Sequence, residues 1–214
     1  ALPLKRLNPL HVGIFSGVAI LSGIGGLWVL FPLDPFPCFW AMTAVLCYNG
    51  LYTPLKKKSL FAIIPGAASG MLPPLIGWSA AGGLALDLKI ILIMTIMGLW
   101  QIPHFFLIVL KTPREASNTV YTRYPSFARL FPGNGLHLQA MIWCGLYSLG
   151  LFLFLIRLKA PLEPAFGVIT AANALGILLW TAFRLSRSDP SGAFAGINFS
   201  ILVFMGTGIM DCLA

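Results

Sequence analysis

Seven long runs of apolar residues are the feature that most restricts how this chain can fold. A helix needs about 20 mostly apolar residues to cross the hydrocarbon core of a bilayer, and each run comes close to that length. The runs are continuous, whereas the strands of a membrane barrel alternate apolar and polar residues. The sequence therefore predicts an all-α, polytopic membrane helical bundle with seven transmembrane helices, at residues 11–32, 36–53, 60–80, 89–110, 138–156, 164–183 and 194–213.

The composition excludes several other classes of protein. Of the 214 residues 58% are hydrophobic and 9% are charged, whereas a soluble domain carries about 25% charged residues. So few charges cannot cover a surface that faces water, which argues against a soluble enzyme, a nucleic-acid-binding domain, a secreted disulfide scaffold and a disordered segment. The four cysteines lack CxxC spacing and lie in or beside apolar runs, so buried, unreactive thiols are the preferred interpretation.

Lys and Arg collect on one side of the predicted topology. Eleven of them lie in the loops of one side and three in the loops of the other, and cytoplasmic loops carry this excess in membrane proteins. We therefore expect a multi-pass protein of a bacterial inner (plasma) membrane, with the N-terminus of this chain cytoplasmic. The net charge of +8 follows from this topology, and no nucleic-acid partner is expected.

A tyrosine and a lysine stand four residues apart at the cytoplasmic end of the second run. On a helical turn Tyr52 and Lys56 point to one side, and a phenol beside an ammonium group can hold an anionic headgroup such as a diphosphate. Lys57 and Lys58 follow directly. The competing interpretation, which the local sequence alone favours, is a short loop of lysines that reach the membrane surface and fix the orientation.

Two further stretches bring helix breakers or polar groups into the membrane. Residues 65–78 hold three prolines and three glycines and predict an interrupted helix that walls a cavity, with a simple proline kink as the alternative. The spacing of Gly66 and Gly70 indicates close helix packing and no function by itself. The fourth run carries Gln101 and His104. Such a histidine either lines a cavity, where it can exchange a proton or contact a metal or a carboxylate, or is a hydrogen-bonded structural group.

The longest cytoplasmic loop, at about 111–136, is the last candidate. It is longer than a connection in a compact bundle needs, which favours a function. Its basic residues either bind phosphate or rest on anionic lipid, the default interpretation. Glu115 is its only acid, and its bases are Lys111, Arg114, Arg123 and Arg129.

Three strings together resemble the haem-farnesylating branch (haem O synthases) of the UbiA-type intramembrane prenyltransferases. They are Tyr-x-x-x-Lys at 52–56, Pro-Pro-Leu-Ile-Gly-Trp at 73–78 and Trp-x-x-Pro-His-Phe at 100–105. The second and third are the specific ones, since the first is shared across the superfamily. The resemblance is firm from 50 to 110 and loose over the rest of the chain.

The resemblance implies a nine-helix bundle with its active site open to the cytoplasm, of which this single domain would supply helices three to nine. It also implies that Mg²⁺ grips the diphosphate of farnesyl diphosphate and that the farnesyl group passes to haem B, giving haem O. The expected protein partners are haem A synthase or terminal-oxidase assembly factors. The implied catalytic residues are Lys56 and His104, the substrate-binding residues are Tyr52, Lys56, Lys57, Trp100, His104 and Arg123, and the metal ligand is Glu115.

The acidic motifs of that family are the point of departure. The first would lie upstream of Ala1, so we expect this chain to be part of a longer protein. In the second, Arg114 replaces one acid and Glu115 alone stands where a carboxylate is expected. One carboxylate makes a poor Mg²⁺ site, and these 214 residues alone are expected not to catalyse the reaction.

Other functions remain open at this stage. A catalytically degenerate homologue that serves as a membrane structural or assembly subunit would explain the thin acidic region. A prenyltransferase for another aromatic acceptor is a close variant of the enzyme. A transporter could also use interrupted helices, although the two halves of the chain show no repeat.

Overall fold

The structure, a computed structural model, describes residues 8–56, 58–111, 130–157 and 164–213. These residues are helical, with short connections and no strand between them. The α-helices are α1 (Pro9–Leu30), α2 (Phe36–Val45), α3 (Thr53–Leu55), α4 (Ile63–Ala80), α5 (Leu88–Lys111), α6 (Gly135–Arg157), α7 (Pro164–Ser186) and α8 (Pro190–Leu213). A π-helical segment, Leu46–Tyr52, joins α2 to α3, and a 3₁₀ turn, Leu60–Ala62, precedes α4.

Within the described ranges, six helical stretches are long and apolar enough to cross a membrane. They coincide with six of the seven predicted spans. The remaining span, predicted at 36–53, is a continuous helical stretch in which α2, the π-helical segment and α3 follow one another without a break. The prediction of an all-α, multi-pass membrane bundle is therefore confirmed.

The predicted interruption of the helix at 65–78 is wrong. α4 runs unbroken through Pro73 and Pro74, although each proline removes one backbone hydrogen bond and presses on the carbonyl four residues earlier. Neighbouring helices make such prolines tolerable in membrane helices. Here Leu72 and Leu75 are buried with Ile90 of α5 in one apolar cluster, and this packing holds the helical path.

The irregular backbone lies one helix earlier, in the π-helical segment. The N–H of Thr53 donates to the carbonyl of Tyr48, five residues back, and the Thr53 hydroxyl donates to the same oxygen over 2.9 Å. A π-turn inserts about one extra residue into a helix and is frequent at functional sites. The segment thus changes which side chains face α4.

The main core lies between α5, α6, α7 and α8. Its largest buried side chains include Tyr147, Leu151 and Ile197. Polar groups link these helices: the Tyr147 hydroxyl lies 3.1 Å from the Ser200 hydroxyl, and the Ser148 hydroxyl donates to the Ala174 carbonyl over 2.6 Å. Such hydrogen bonds stabilise helix contacts in membranes, where lipid supplies little hydrophobic driving force between helices.

The periphery is apolar and exposed, as a lipid-facing surface must be. α1 lies against α2 and buries none of its residues in the structure. Cys38 and Cys144 are buried free thiols, and Cys47 is a half-buried one. The prediction of buried thiols therefore holds for Cys38 and Cys144, whereas Cys47 is only partly buried.

Candidate functional site

A cavity of about 220 Å³ lies between the π-helical segment, the start of α4 and the second half of α5. It brings Tyr52 and His104, singled out from separate sequence motifs, into one lining. Two larger grooves elsewhere contain none of the predicted site residues. The cavity is lined by Tyr48, Tyr52, Ile63, Gly66, Ala67, Gln101, His104, Phe105 and Ile108.

Tyr52 owes its position to a glycine on α4. A Cβ added at Gly66 would lie 3.0 Å from Cδ2 of the Tyr52 ring, which is closer than carbon atoms normally approach. The ring of Tyr48 stands beside Tyr52 with a centroid separation of 5.3 Å. Gly66 therefore makes room for an aromatic wall that the π-helical segment presents to the cavity.

Lys56 lies one turn beyond Tyr52, on the same side, as the four-residue spacing predicts. Its N–H donates to the Tyr52 carbonyl over 2.9 Å, and its Nζ lies 5.2 Å from the centroid of the Tyr52 ring. This distance is within the range of a cation–π contact. The ammonium group is exposed and stands at the edge of the cavity wall, where an anion can reach it.

A second glycine sets the approach of α4 to α5. A Cβ added at Gly70 would collide with the Gln101 amide, so the Gln101 side chain lies directly on the α4 backbone. Gly66 and Gly70 were attributed to packing alone on sequence grounds, yet each accommodates a side chain that lines the cavity. The two glycines lie one helical turn apart, and each faces a cavity residue on another element, Tyr52 or Gln101. The sequence of α4 alone does not show these partners.

His104 is held by α8. Its Nδ1 lies 2.8 Å from Oδ1 of Asn198, and the ring of Phe194 lies against it with centroids 4.9 Å apart. Asn198 and Phe194 carry no sequence sign of this contact, because they occur singly in a run that reads as an ordinary membrane span. They are the site residues that sequence reasoning missed.

Trp100 fixes α5 against α8 beside His104. Its Nε1 donates to the Ile197 carbonyl over 3.0 Å, and its ring centroid lies 4.8 Å from that of His104. Pro103, between them in sequence, is fully buried. The Trp-x-x-Pro-His string is thus the surface of α5 that meets α8, with His104 reaching the cavity.

Lys111 is the member of the predicted basic loop that the structure describes. It ends α5, two turns beyond His104, and its Nζ lies 4.9 Å from the centroid of the Phe194 ring. Phe194 therefore contacts both the imidazole in the cavity lining and an exposed cation nearer the helix end.

The remaining predicted residues lie outside the described part of the chain. They are the substrate-binding Lys57 and Arg123, the metal ligand Glu115, and the loop residues Arg114 and Arg129. In the described part of the chain, no group of three or more His, Cys, Asp or Glu side chains could hold a metal ion. Asp189, the acid nearest the start of α8, is paired with Arg184 at 3.0 Å.

The described helices form a membrane bundle with an exposed cation at the edge of an aromatic-lined cavity. The UbiA prenyltransferase family matches residues 1–207, and the chain belongs to that family. Among its relatives, the protoheme IX farnesyltransferase of Geobacter sulfurreducens is 37% identical over 178 residues, which cover 79% of this chain and 60% of that protein.

Two other relatives carry the same name. The protoheme IX farnesyltransferase of Microcystis aeruginosa is 32% identical over 212 residues, which cover 95% of this chain and 63% of that protein. The protoheme IX farnesyltransferase of Oleidesulfovibrio alaskensis is 31% identical over 171 residues, which cover 78% of this chain and 56% of that protein. The chain thus spans about three fifths of the length of these relatives. No solved structure matches the chain significantly.

Proposed function

We propose that this chain forms the reacting part of a farnesyltransferase that makes haem O: the farnesyl group of farnesyl diphosphate passes to a vinyl group of haem B, diphosphate is released, and one water molecule adds to the other vinyl carbon. The observation that carries the proposal is the meeting of Tyr52 and His104 in one cavity, with the Lys56 ammonium group against the Tyr52 ring. Membership of the UbiA prenyltransferase family and relatives named protoheme IX farnesyltransferase support it.

The leaving group determines what the cations do. Breaking the bond between an allylic carbon and a diphosphate oxygen builds negative charge on the diphosphate, and fixed positive charge stabilises that change. Lys56 and Lys111 supply ammonium groups at the ends of α3 and α5. Each rests on an aromatic ring, Tyr52 or Phe194, so each side chain is held near the cavity before the anion binds.

The allylic group determines what the rings do. As the carbon–oxygen bond breaks, positive charge spreads over the allylic carbons, and aromatic faces attract such charge. Tyr48, Tyr52 and Phe105 line the cavity, together with the apolar Ile63 and Ile108. These side chains keep bulk water from the allylic cation, which it would otherwise capture before the acceptor does.

The size of the cavity limits what it holds. Pockets for whole drug-sized ligands measure roughly 300–1,000 Å³, and this cavity measures about 220 Å³. We therefore assign to it the reacting ends, the diphosphate-bearing carbon and the vinyl group of the haem. His104 and Gln101 are the polar groups that meet the acceptor side.

Mg²⁺ enters the proposal through the family alone. When bound, it would supply further positive charge to the diphosphate, and Glu115 is its expected ligand in this chain. The residues that the structure describes do not fit a Mg²⁺ site, since they bring no acidic cluster to the cavity. The roles derived above therefore rest on the lysines and the rings.

We also propose an inner-membrane location with the cavity open to the cytoplasm. Three basic residues lie at helix ends that have neighbouring helix starts beside them. Lys56 follows Tyr52, which contacts the first half of α4. Lys111 contacts Phe194 near the start of α8, and Arg184 pairs with Asp189 just before α8. This clustering of basic ends supports the cytoplasmic assignment. Haem A synthase or terminal-oxidase assembly factors would be the protein partners, as consumers of haem O.

The test is a membrane assay of the full-length protein that contains this chain, with haem B, farnesyl diphosphate and Mg²⁺, followed by mass analysis for haem O. Lys56→Ala should lower turnover by about 100-fold or more, as removal of a group that stabilises charge in the transition state does. Lys58→Ala removes an exposed lysine two residues away and is the matched control. Equal turnover in Lys56→Ala and Lys58→Ala would contradict the role of Lys56.

The absence of an acidic cluster among the described residues favours one second candidate, a catalytically degenerate membrane subunit. Such a protein would retain farnesyl diphosphate or haem B without making haem O. Binding of either ligand by the full-length wild-type protein, with no haem O formed at any Mg²⁺ concentration, would select the degenerate subunit over the enzyme.

A further inference from the structure

The orientation of the Asn198 amide is fixed by its own helix. Its Nδ2 donates to the Phe194 carbonyl over 2.8 Å, so its Oδ1 is the atom that faces His104, at 2.8 Å from Nδ1. An amide oxygen only accepts hydrogen bonds. The hydrogen of this contact therefore belongs to Nδ1 of His104, and a neutral imidazole with a hydrogen on Nδ1 has none on Nε2.

The ring of His104 is also held on its faces. Trp100 and Phe194 lie against it, with centroids 4.8 and 4.9 Å away, and the Trp100 ring is itself tied to the Ile197 carbonyl. A rotation of the imidazole that exchanged its two nitrogens would have to displace these rings. Within the described part of the chain, the contact with Asn198 is thus the one polar contact of a ring that is otherwise fixed by packing.

The two nitrogens of His104 face different surroundings. Asn198, the partner of Nδ1, belongs to α8, and α8 contributes no residue to the lining of the cavity, whereas His104 itself does. The opposite edge of the ring, which carries Nε2, therefore faces the cavity. Nε2 has no hydrogen-bond partner among the residues that the structure describes.

We propose that Asn198 is a positioning residue that holds neutral His104 as the Nδ1–H tautomer and thereby presents the Nε2 lone pair to the cavity. The ligand that this arrangement takes is a hydrogen-bond donor, an O–H or N–H group such as a water molecule beside the reacting carbons. The use of Nε2 in turnover rests on the proposed farnesyl transfer, whereas the tautomer does not.

The tautomer can be measured directly on the full chain in lipid nanodiscs. Protein labelled with ¹⁵N-histidine contains three imidazoles, and His104→Gln identifies the signals of His104 by their loss. At a pH where the ring is neutral, we expect a protonated Nδ1 and a non-protonated Nε2 in the nitrogen spectrum of His104. A protonated Nε2 with a bare Nδ1 would overturn the proposal.

Substitutions at Asn198 separate positioning from packing. Asn198→Leu keeps the side-chain size and removes the acceptor, so His104 should shift toward the Nε2–H form that free imidazoles prefer. Asn198→Asp keeps an acceptor and should retain the Nδ1–H form. Asn173→Leu is the matched control, because Asn173 also donates to α8, at the Ser200 carbonyl, without contacting His104, and should leave the tautomer unchanged.

Turnover tests the use of the tautomer. If the enzyme makes haem O, Asn198→Leu should lower kcat by about 10–100-fold, as loss of a partner that orients a functional histidine does, with little change in KM for farnesyl diphosphate. Asn198→Asp should recover part of kcat. An Asn198→Leu protein that has switched tautomer and keeps wild-type kcat would overturn the catalytic use of Nε2. Absence of haem O with the full-length wild-type protein would contradict the farnesyl-transfer function, and the spectrum would still decide the tautomer.

Discussion

Replacing Gly66 by alanine tests whether the cavity depends on the close contact between α4 and Tyr52. The new methyl group would lie 3.0 and 3.1 Å from two carbons of the Tyr52 ring, so the ring must move by a few tenths of an ångström. Tyr52 is half-buried and borders the cavity, which gives it space to move. We therefore expect the Tyr52 ring to move, which changes the position of this side chain in the cavity wall.

The stability terms of Gly66→Ala nearly cancel. Alanine gains about 0.5–1 kcal/mol over glycine in a helix, and mild overpacking costs about 1 kcal/mol at the lower end of its range. The free energy of unfolding should stay within about 0.5 kcal/mol of wild type. A misplacement of 1 Å in an active site can cost about 100-fold in rate, so a shift of about half that size should lower kcat by about 10-fold.

Gly77→Ala supplies the control on the same helix. A Cβ at Gly77 meets nothing within 4 Å, so this variant carries the helix gain without the contact. Thermal unfolding in detergent and the initial rate of haem O formation measure the two effects. Wild-type turnover in Gly66→Ala, or an equal loss in Gly77→Ala, would refute the reasoning.

Three further outcomes are expected. Lys111→Gln should raise KM for farnesyl diphosphate several-fold without loss of folded protein, because it removes an exposed ammonium group near the cavity. An unchanged KM in steady-state assays would contradict that role. Tyr147→Phe should lower the free energy of unfolding by about 1 kcal/mol, since the buried Ser200 hydroxyl loses its partner. Thermal melts measure this loss, and an unchanged melting temperature would show that Ser200 finds another partner. Asp189→Asn should change stability by less than about 1 kcal/mol, because its ion pair with Arg184 is partly exposed, and a larger drop in Tm would show that the pair is structural.

The membrane spans could be predicted because they follow from one physical requirement. A helix in lipid must be apolar over its length, and the sequence displays this directly. The ends were less certain: the helix predicted at 194–213 begins at Pro190, and that predicted at 138–156 begins at Gly135. A helix can continue past the hydrocarbon core into the interface, where polar residues are tolerated. The first polar residue therefore does not mark the end of the helix.

The path of α4 could not be predicted from its prolines. Local propensity says that Pro73 and Pro74 break a helix, and the packing of Leu72 and Leu75 overrides it. The π-helical segment could not be predicted either, since Asn49 and Gly50 weaken a regular helix but do not specify a π-turn. There the contacts of the whole bundle select the backbone.

The pairing of Tyr52 with Lys56 and the presence of His104 in a cavity wall could be predicted, because spacing and polarity within one helix suffice for both. The roles of Gly66, Gly70 and Asn198 could not. Each acts on a side chain of a different helix, and a single sequence holds no record of which helices touch.

The extra residue of the π-helical segment has a consequence for chain length. Successive residues of a straight α-helix turn by about 100°, which would set Trp40 and Tyr52 about 120° apart. One inserted residue brings them to about 20° apart, so Trp40 can pack on the Leu72 cluster while Tyr52 meets Gly66. Deleting one residue between 46 and 52 would therefore leave a regular helix that keeps both aromatic groups on nearly the same side, whereas a regular helix of the present length would set them about 120° apart.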